Sequence, residues 1–411
     1  MASGVTRRIE AIVEGRLGGT ARLTPSARVG LIAALHAFFE RGDRIAMIAP
    51  LCEVVSFSAY AAGVRPVFVD SCVDAPCIDV QQLAKLDRGA VAGVVAANLY
   101  GRPDDLPELR ALCRERKWTL IEDAAQILDS YVEGEPAGTF GDATVLSFMK
   151  YFDEECGAVV CRDARRQADV DAQVARWSVA AERKARWRAR ILKLARGAGL
   201  ERAERLLRSP DRTDPLTPLD PRNTRVPMSP AQLLAVVQAP GDLMESMDRF
   251  LRLDNARYRL CLPPARLERL AGKLAGWDRL AQTRRAAGRR IADAVRRAGG
   301  ELVDDGDGVC FLAVPMIAHD RDAVVAHLWA TEGLRVETIY NPPLPQWLPT
   351  DAFTDCREFP ERDERWSRNL VPLPTAQAER VERALESYRS PRPAEARSEP
   401  AVNLGGTARV R

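Results

Sequence analysis

The first half of the chain alternates short apolar runs with stretches of helical spacing, and this alternation constrains the fold most. Residues 43–50, 65–70, 90–101 and 118–123 are apolar runs of strand length. Between them, "EVVSFSAYAAG" and "DDLPELRALCRERK" have helical patterns, and the first is predicted to end at a glycine. Strands that alternate with helices in this way predict an α/β fold with a mostly parallel sheet covered on both faces.

The second half differs in composition and predicts a second domain. After two more strands, "GDATVLSF" and "GAVVCRD", come a basic helical stretch and a loop rich in Pro and Asp. We predict a large α/β domain at 1–230, with a basic helical insertion at about 165–215. Helices and the strands "GVCFLAVPMI" and "RVETIY" indicate a smaller α+β domain at 231–390. Residues 391–411 are predicted to be a disordered tail.

The composition argues against several classes of protein. The 411 residues carry 60 Lys and Arg against 57 Asp and Glu, and a net charge of +3 gives no reason to expect nucleic acid. No apolar run approaches the roughly 20 residues that span a bilayer, and the N-terminus has no signal-peptide core. Nine cysteines without CxxC spacing and only three histidines argue against a zinc site or a disulfide framework. We therefore expect a cytoplasmic protein with reduced thiols and no metal.

Two acids, Glu122 and Asp123, close the predicted strand "WTLIED". In a parallel sheet the carboxyl ends of the strands face the ligand crevice. Because side chains alternate along a strand, only one of the two acids can face a given site. On spacing alone, a solvated strand end or a cap for the next helix is the preferred interpretation.

The stretch "SFMKYFDEECG" shifts that interpretation towards a cofactor site. A predicted strand ends at Ser147, and Lys150 follows at once. Pyridoxal phosphate requires an amine that bonds to its aldehyde and a carboxylate that keeps its ring nitrogen protonated. Its phosphate requires a helix N-terminus and hydroxyl donors. "TPSARVGL" supplies Thr24 as the predicted cap, Pro25 in the first helical position, and Ser26 as a second hydroxyl.

These motifs resemble those of the DegT/StrS family of aminotransferases, which mostly act on keto-sugar nucleotides. "AAGVRPVFVD" is similar to the family's "aGa-PvFvD". "NLYGRPDDLPELRALCRERKWTLIEDAAQ" is similar to its "hlyG-p-dm--i--ia--h-l-viEDaAqa" and is the most specific match. The resemblance runs from about residue 20 to residue 390. It implies the fold-type I architecture of the aspartate aminotransferases and pyridoxal 5'-phosphate as the cofactor.

The resemblance also implies roles for the residues around the ring. Asp123 would be the partner of the pyridinium nitrogen, Gln126 would lie near the ring oxygen, and Lys150 would carry the covalent bond. Most members have the lysine five residues after the serine, whereas here the interval is three. Shorter-loop relatives that read like "SLRK-LP-PDGG" match Lys150. The alternative is a deletion that removed the true lysine and left Lys150 as a neighbour.

The remaining matched positions concern the phosphate. The resemblance implies that Ser26 and Ala27 hold it through a hydroxyl and backbone N–H groups, and that Ser147 adds a hydroxyl. "NTR" is similar to the family's "NyR", so Asn223 would reach the phosphate of the neighbouring subunit. This role implies a homodimer, because the family shares its sites between two subunits.

The basic segment 177–208 has three interpretations. The first is a solvated insertion packed on the domain surface. The second is a helix that contacts a membrane surface or a partner, with Arg and Lys outside and Trp, Leu and Ile inside. The third is a contact to an anionic substrate such as a nucleotide diphosphate.

The predicted activity is therefore transamination from an amino-acid donor, glutamate, to a keto-sugar nucleotide or a similar biosynthetic ketone. A second hypothesis is another reaction of the same cofactor, such as dehydration. A third is a catalytically inert relative that binds a ligand or partner. The sequence does not name the acceptor.

Overall fold

The computed structural model describes residues 4–180, 243–252, 255, 257–303, 308–336 and 361–388. Three predictions concern residues outside these ranges. They are the role of Asn223, the disordered tail 391–411, and the basic segment 177–208 beyond residue 180. The predicted domain boundary at 230 also lies outside and stays a prediction.

The described secondary structure begins with a helix and continues as alternating strands and helices. The strands are β1 Thr20–Thr24, β2 Arg44–Ile48, β3 Arg65–Val69, β4 Gly93–Ala97, β5 Thr119–Ala124, β6 Tyr131–Val132, β7 Glu135–Pro136, β8 Ala143–Ser147, β9 Gly157–Cys161, β10 Glu301–Leu302, β11 Ala313–Ile317 and β12 Leu370–Pro374. The helices are α1 Gly4–Leu17, α2 Ala27–Phe38, α3 Glu53–Ala61, α4 Val80–Leu83, α5 Leu106–Arg116, α6 Met149–Phe152, α7 Gln167–Trp177, α8 Leu243–Leu251, α9 Pro264–Leu274, α10 Trp277–Arg297, α11 Arg321–Glu332, α12 Glu361–Asn369 and α13 Ala378–Ser387.

Seven of the described strands form one sheet in the order β1-β9-β8-β5-β4-β2-β3. The pairings of β2 with β3 and β4, of β4 with β5 and of β5 with β8 are parallel. β9 runs antiparallel to both of its neighbours, β1 and β8. The predicted α/β class with a mostly parallel sheet is confirmed.

Helices cover this sheet because its strands are apolar on both sides: all five residues of β4 and of β9 are buried. α2 packs on β8 and β9 and contacts α3 and α7, whereas α1 packs on β1, β9 and α9. A second core surrounds the small sheet β10-β11-β12. α10 joins the two cores, since Trp277 and Ala281 lie in the first and Ala287 and Ile291 in the second.

Some predicted boundaries are wrong. Thr24 is the last residue of β1, paired with Gly157, and the N-cap of α2 is Ser26, so sheet pairing displaces the predicted cap. The strand predicted at "GVCFLAVPMI" begins only at Ala313. The residues before Ala313 make hydrogen bonds outside the sheet: the backbone N–H of Cys310 donates to Ser130 Oγ at 2.9 Å. Of the strand predicted at "RVETIY", only residues 335 and 336 are described, and they are not extended in a sheet.

Among the described residues, no helix has both the length and the apolar composition needed to cross a membrane.

Candidate active site

The candidate site lies where the carboxyl ends of β5 and β8 meet the start of α2. Ser147, the last residue of β8, pairs with Gly157, which pairs in turn with Thr24. Asp123, next to last in β5, pairs with Val145 of β8. Because neighbouring strands lie about 4.8 Å apart, these pairings bring the acid, the serine and the start of α2 to one edge of the sheet.

The N-terminus of α2 is held by two hydroxyls and a glycine. Ser26 Oγ accepts a hydrogen bond from the backbone N–H of Val29 at 3.3 Å, and Thr24 Oγ1 donates to the carbonyl oxygen of Ser26 at 2.8 Å. A Cβ on Gly157 would lie 2.5 Å from the backbone nitrogen of Ala27, so glycine is required for this close approach. The first N–H groups of a helix have no partner within it. Together with the helix dipole they favour an anion here.

Asp123 is a half-buried carboxylate at this edge. Burial raises its pKa. The backbone N–H of Ala125, which donates to Oδ1 at 3.0 Å, and the charge of Lys150 both lower it in part. A carboxylate that has lost hydration is stabilised in its ionised form by a nearby cation. Asp123 therefore suits a protonated ring nitrogen.

Glu122, the neighbouring acid, has a different environment. It is completely buried. Its carboxylate accepts hydrogen bonds from the backbone N–H groups of Gly138, Phe140 and Gly141 at 2.8, 2.7 and 2.6 Å. Burial raises its pKa, while these donors and Arg162 lower it in part. Glu122 thus holds the turn before β8, and of the two acids Asp123 is the one near Lys150.

Lys150 lies on α6, the single helical turn that follows Ser147. Its side chain is exposed in the single chain, whereas Tyr151 and Phe152 of the same turn are buried. The hydroxyl of Tyr151 is 2.8 Å from the carbonyl oxygen of Gln126 and 3.1 Å from that of Cys310. The buried side of the turn is therefore fixed, and the exposed Lys150 lies close enough for its charge to lower the pKa of Asp123 in part.

Glu154 anchors the same turn from its other end, and sequence reasoning missed it. Asp153 closes α6 in the left-handed conformation, with φ of 52°. The Glu154 side chain is 1% exposed and pairs with Arg266, Arg269 and Lys273 of α9 at 2.9, 2.6 and 3.1 Å. Burial raises the pKa of Glu154, but hydrogen bonds from these cations outweigh it and bring that pKa to about 2.

Gln126 lies behind the Lys150 turn. Its Oε1 accepts a hydrogen bond at 2.7 Å from the backbone N–H of Tyr100, which has a left-handed φ of 60°. Asn98, also missed from the sequence, places its Nδ2 3.3 Å from the carbonyl oxygen of Asp123. The side chain of Gln126 therefore connects the end of β4 with that of β5, and its predicted contact with the cofactor ring stays a prediction.

A comparison with protein families identifies the first part of the chain. Residues 21–191 match the model of the DegT/DnrJ/EryC1/StrS aminotransferase family. This part of the chain belongs to that family. The match includes Asp123, Ser147 and Lys150, and it confirms the predicted family. The roles of the individual site residues stay predictions.

Curated proteins similar to this chain include a synthase and an aminotransferase. A GDP-perosamine synthase of Escherichia coli O157:H7 is 29% identical over 119 residues, which are 29% of this chain and 32% of the relative. A UDP-N-acetyl-3-dehydro-alpha-D-glucosamine 3-aminotransferase of Acidithiobacillus ferrooxidans is 30% identical over 147 residues, or 35% of this chain and 39% of the relative. The matches thus span about a third of these relatives' lengths.

Solved structures of aminotransferases resemble the chain over nearly its whole length. The aminotransferase from Psychrobacter cryohalolentis has a TM-score of 0.64 at 16% identity and covers 93% of this chain and 90% of its own. Helicobacter pylori PseC, an aminotransferase of pseudoaminic acid biosynthesis, has a TM-score of 0.63 at 16% identity, with coverages of 94% and 93%. At this identity the likeness shows the fold, and the predicted fold-type I architecture is confirmed.

Proposed function

We propose that the protein is a pyridoxal-phosphate-dependent aminotransferase that moves an amino group from glutamate to a keto-sugar nucleotide or a similar biosynthetic ketone. The observation that carries the proposal is the meeting of Asp123, Lys150 and the N-terminus of α2 at one edge of the sheet. The relatives named as nucleotide-sugar aminotransferases support the class of acceptor.

The residues at this edge fit the cofactor. Ser26, Ala27 and Ser147 surround the start of α2, where N–H groups and hydroxyls suit a phosphate. The close approach of Gly157 to Ala27 leaves no room for a side chain at that position, which supports a phosphate cradle built from backbone groups. Asp123 on β5 lies two strands from Gly157 on β9, so the acid and the phosphate site have separate positions along one edge of the sheet.

Each side chain has a distinct task in this mechanism. When bound, pyridoxal phosphate supplies an aldehyde that accepts the amino group and a ring that withdraws electrons. Asp123 keeps a proton on the ring nitrogen, because its ionised form is stabilised by that positive charge. Lys150 Nζ would hold the cofactor covalently and, as a free amine, would carry a proton between two atoms of the substrate and cofactor.

We also propose that the site is completed in a homodimer. Lys150 is exposed in the single chain, although catalysis by a lysine requires a site that excludes water. A second subunit that supplies Asn223 would cover it. Mixing inactive Lys150→Ala protein with inactive Asn223→Ala protein should then restore part of the activity, since one hybrid site is intact. Continued inactivity after proven subunit exchange would show that each subunit has a self-contained site.

Isotope transfer tests the reaction itself. With cofactor and 15N-glutamate, the wild type should move the label to a keto-sugar nucleotide, whereas Lys150→Ala should lose the transfer by orders of magnitude. Lys85→Ala is the matched control, because Lys85 lies on the surface and bonds to Gln82. Equal transfer by wild type and Lys150→Ala would refute the role of Lys150. A folded, cofactor-loaded wild type that transfers no label to any keto-sugar nucleotide would refute the proposed acceptor.

A further inference from the structure

Two cysteines face each other where the chain leaves β3. Ser71 and Ile78 form an antiparallel bridge, and the backbone N–H of Cys72 donates to the carbonyl oxygen of Cys77 at 2.9 Å. Cys72 and Cys77 are therefore opposite each other on a tight hairpin. Cys77 is buried and Cys72 is partly exposed, so the pair has one side open to solvent.

The carboxylate of Asp105 is directed at both thiols. Its Oδ2 lies 3.9 Å from Cys72 Sγ and 3.8 Å from Cys77 Sγ. All three atoms lie within 4.8 Å of one another. Asp105 occupies the N-cap position of α5, yet its side chain makes no capping hydrogen bond. The usual reason for an aspartate at this position is therefore missing, and the two thiols are its described side-chain contacts.

The spacing of these atoms matches the ligands of a tetrahedral zinc ion. Zn–S distances of about 2.3 Å and Zn–O distances of about 2.1 Å place S and O ligands about 3.6 Å apart and two S ligands about 3.8 Å apart. The two measured S···O distances exceed the first value by only about 0.2–0.3 Å. The position of Asp105 relative to both thiols therefore fits a bound ion, and the two thiols lie within 4.8 Å of each other.

A second observation, at the neighbouring Asp104, also favours a metal site. Asp104 is 2% exposed, and its Oδ1 accepts hydrogen bonds from the backbone N–H groups of Ile78 and Asp105 at 3.0 and 2.9 Å. Ile78 directly follows Cys77, and Asp105 is itself one of the three proposed ligands, so the Asp104 carboxylate lies against this cluster. Its Oδ2 is buried and has no hydrogen-bond partner among the described residues. A buried acceptor without a donor is costly, and a metal-bound water would supply that donor.

We propose that Cys72, Cys77 and Asp105 bind one zinc ion, with water as the fourth ligand, and that Asp104 accepts a hydrogen bond from this water. Binding would release the two thiol protons to solvent. The ion would join the hairpin after β3 to the start of α5, and its fourth position would stay open to water. It also lies close to α12, since Trp366 Nε1 donates to the carbonyl oxygen of Cys72 at 3.1 Å.

This proposal revises the expectation of no metal, which rested on the absence of CxxC spacing. Here four residues separate the cysteines, and the third ligand comes from a different element. The position differs from the candidate active site, because the cluster follows β3 at the far end of the sheet order, whereas Lys150 follows β8. The proposal is therefore independent of the proposed reaction.

Metal analysis of the full chain tests the site. Reduced wild-type protein should bind one zinc ion per chain by elemental analysis, and Co²⁺ in its place should give the near-ultraviolet band of thiolate ligation. Cys72→Ser/Cys77→Ser should lose both signals. Asp105→Asn should weaken zinc binding by at least about 10-fold, as measured against a chromophoric chelator. Cys261→Ser, which removes a partly exposed thiol elsewhere, should bind as the wild type does.

Three results would overturn the site. The first is reduced, folded wild type that binds no zinc. The second is unchanged binding in the double-cysteine variant. The third is a protein that acquires a Cys72–Cys77 disulfide, seen as a loss of 2 Da on the peptide, and binds no metal after reduction. If the double variant does not fold, zinc binding by Asp105→Asn and the cobalt spectrum of the wild type test the proposed site.

Discussion

Glu154→Gln should lower the free energy of unfolding by about 3 kcal/mol at pH 7. In the folded protein the pKa of Glu154 is about 2, against an ordinary value of 4.5. Each tenfold change in proton affinity is worth about 1.4 kcal/mol, so the depressed pKa corresponds to about 3 kcal/mol of stabilisation at neutral pH. This agrees with the roughly 3–5 kcal/mol lost when one partner of a buried ion pair is removed.

The pH dependence of this loss is a separate check. Because the folded pKa is depressed, the stabilisation is fully present above about pH 4.5 and is lost as the pH falls through about 2. The difference between wild type and Glu154→Gln should therefore fall at pH 3 to less than half of its value at pH 7. Urea denaturation at both pH values, followed by circular dichroism, measures it.

Glu155→Gln is the matched control for this experiment. Glu155 is the next residue, its side chain is 33% exposed, and it makes one ion pair with Arg266 at 3.5 Å. Exposed pairs of this kind contribute about 0–1 kcal/mol. Equal losses from Glu154→Gln and Glu155→Gln at pH 7, or a Glu154→Gln loss that is unchanged at pH 3, would refute the role assigned to the buried carboxylate.

Two further predictions concern the two acids of β5 and the glycine beside the start of α2. Asp123→Asn should reduce turnover by orders of magnitude in a protein of nearly normal stability. Glu122→Gln should mainly lower the free energy of unfolding, because it loses a buried acceptor for backbone donors. Steady-state kinetics and urea titration separate the two effects, and equal turnover losses in two fully stable variants would contradict the assignment. Gly157→Ala should cost about 1–3 kcal/mol by overpacking and weaken cofactor binding in a spectroscopic titration, because its Cβ would lie 2.5 Å from the Ala27 nitrogen. Gly89→Ala, where a Cβ meets nothing within 4 Å, should leave both quantities nearly unchanged.

The central sheet could be predicted because its strands are short apolar runs between helical segments. Because the carboxyl ends of parallel strands meet at one edge of a sheet, the same pattern predicts that Asp123 and Lys150 lie at that edge. The start of α2 was predicted less well. Thr24 has the chemistry of a cap, but pairing of β1 with β9 uses it as a strand residue and moves the cap to Ser26.

The groups missed from the sequence depend on contacts between distant residues. Glu154 is an unremarkable acid until the three cations of α9, between 112 and 119 positions away, surround it. Cys72 and Cys77 have a C-x4-C spacing, which occurs in zinc sites but carries little signal by itself. Asp105 joins them only because β3 and β4 end at the same edge of the sheet. Local sequence patterns predict helices and strands well, whereas ion clusters and metal sites can be recognised only once the tertiary fold is known.

Chemical fixation of the cofactor is the most direct test of the account. Purified protein loaded with pyridoxal phosphate and reduced with borohydride should carry one pyridoxyl group per chain, and peptide mapping by mass spectrometry should place it on Lys150. Lys150→Ala should take up none, while Lys85→Ala should be labelled as the wild type is. A label on another lysine, or a folded wild type without any label, would contradict the claim that Lys150 holds the cofactor.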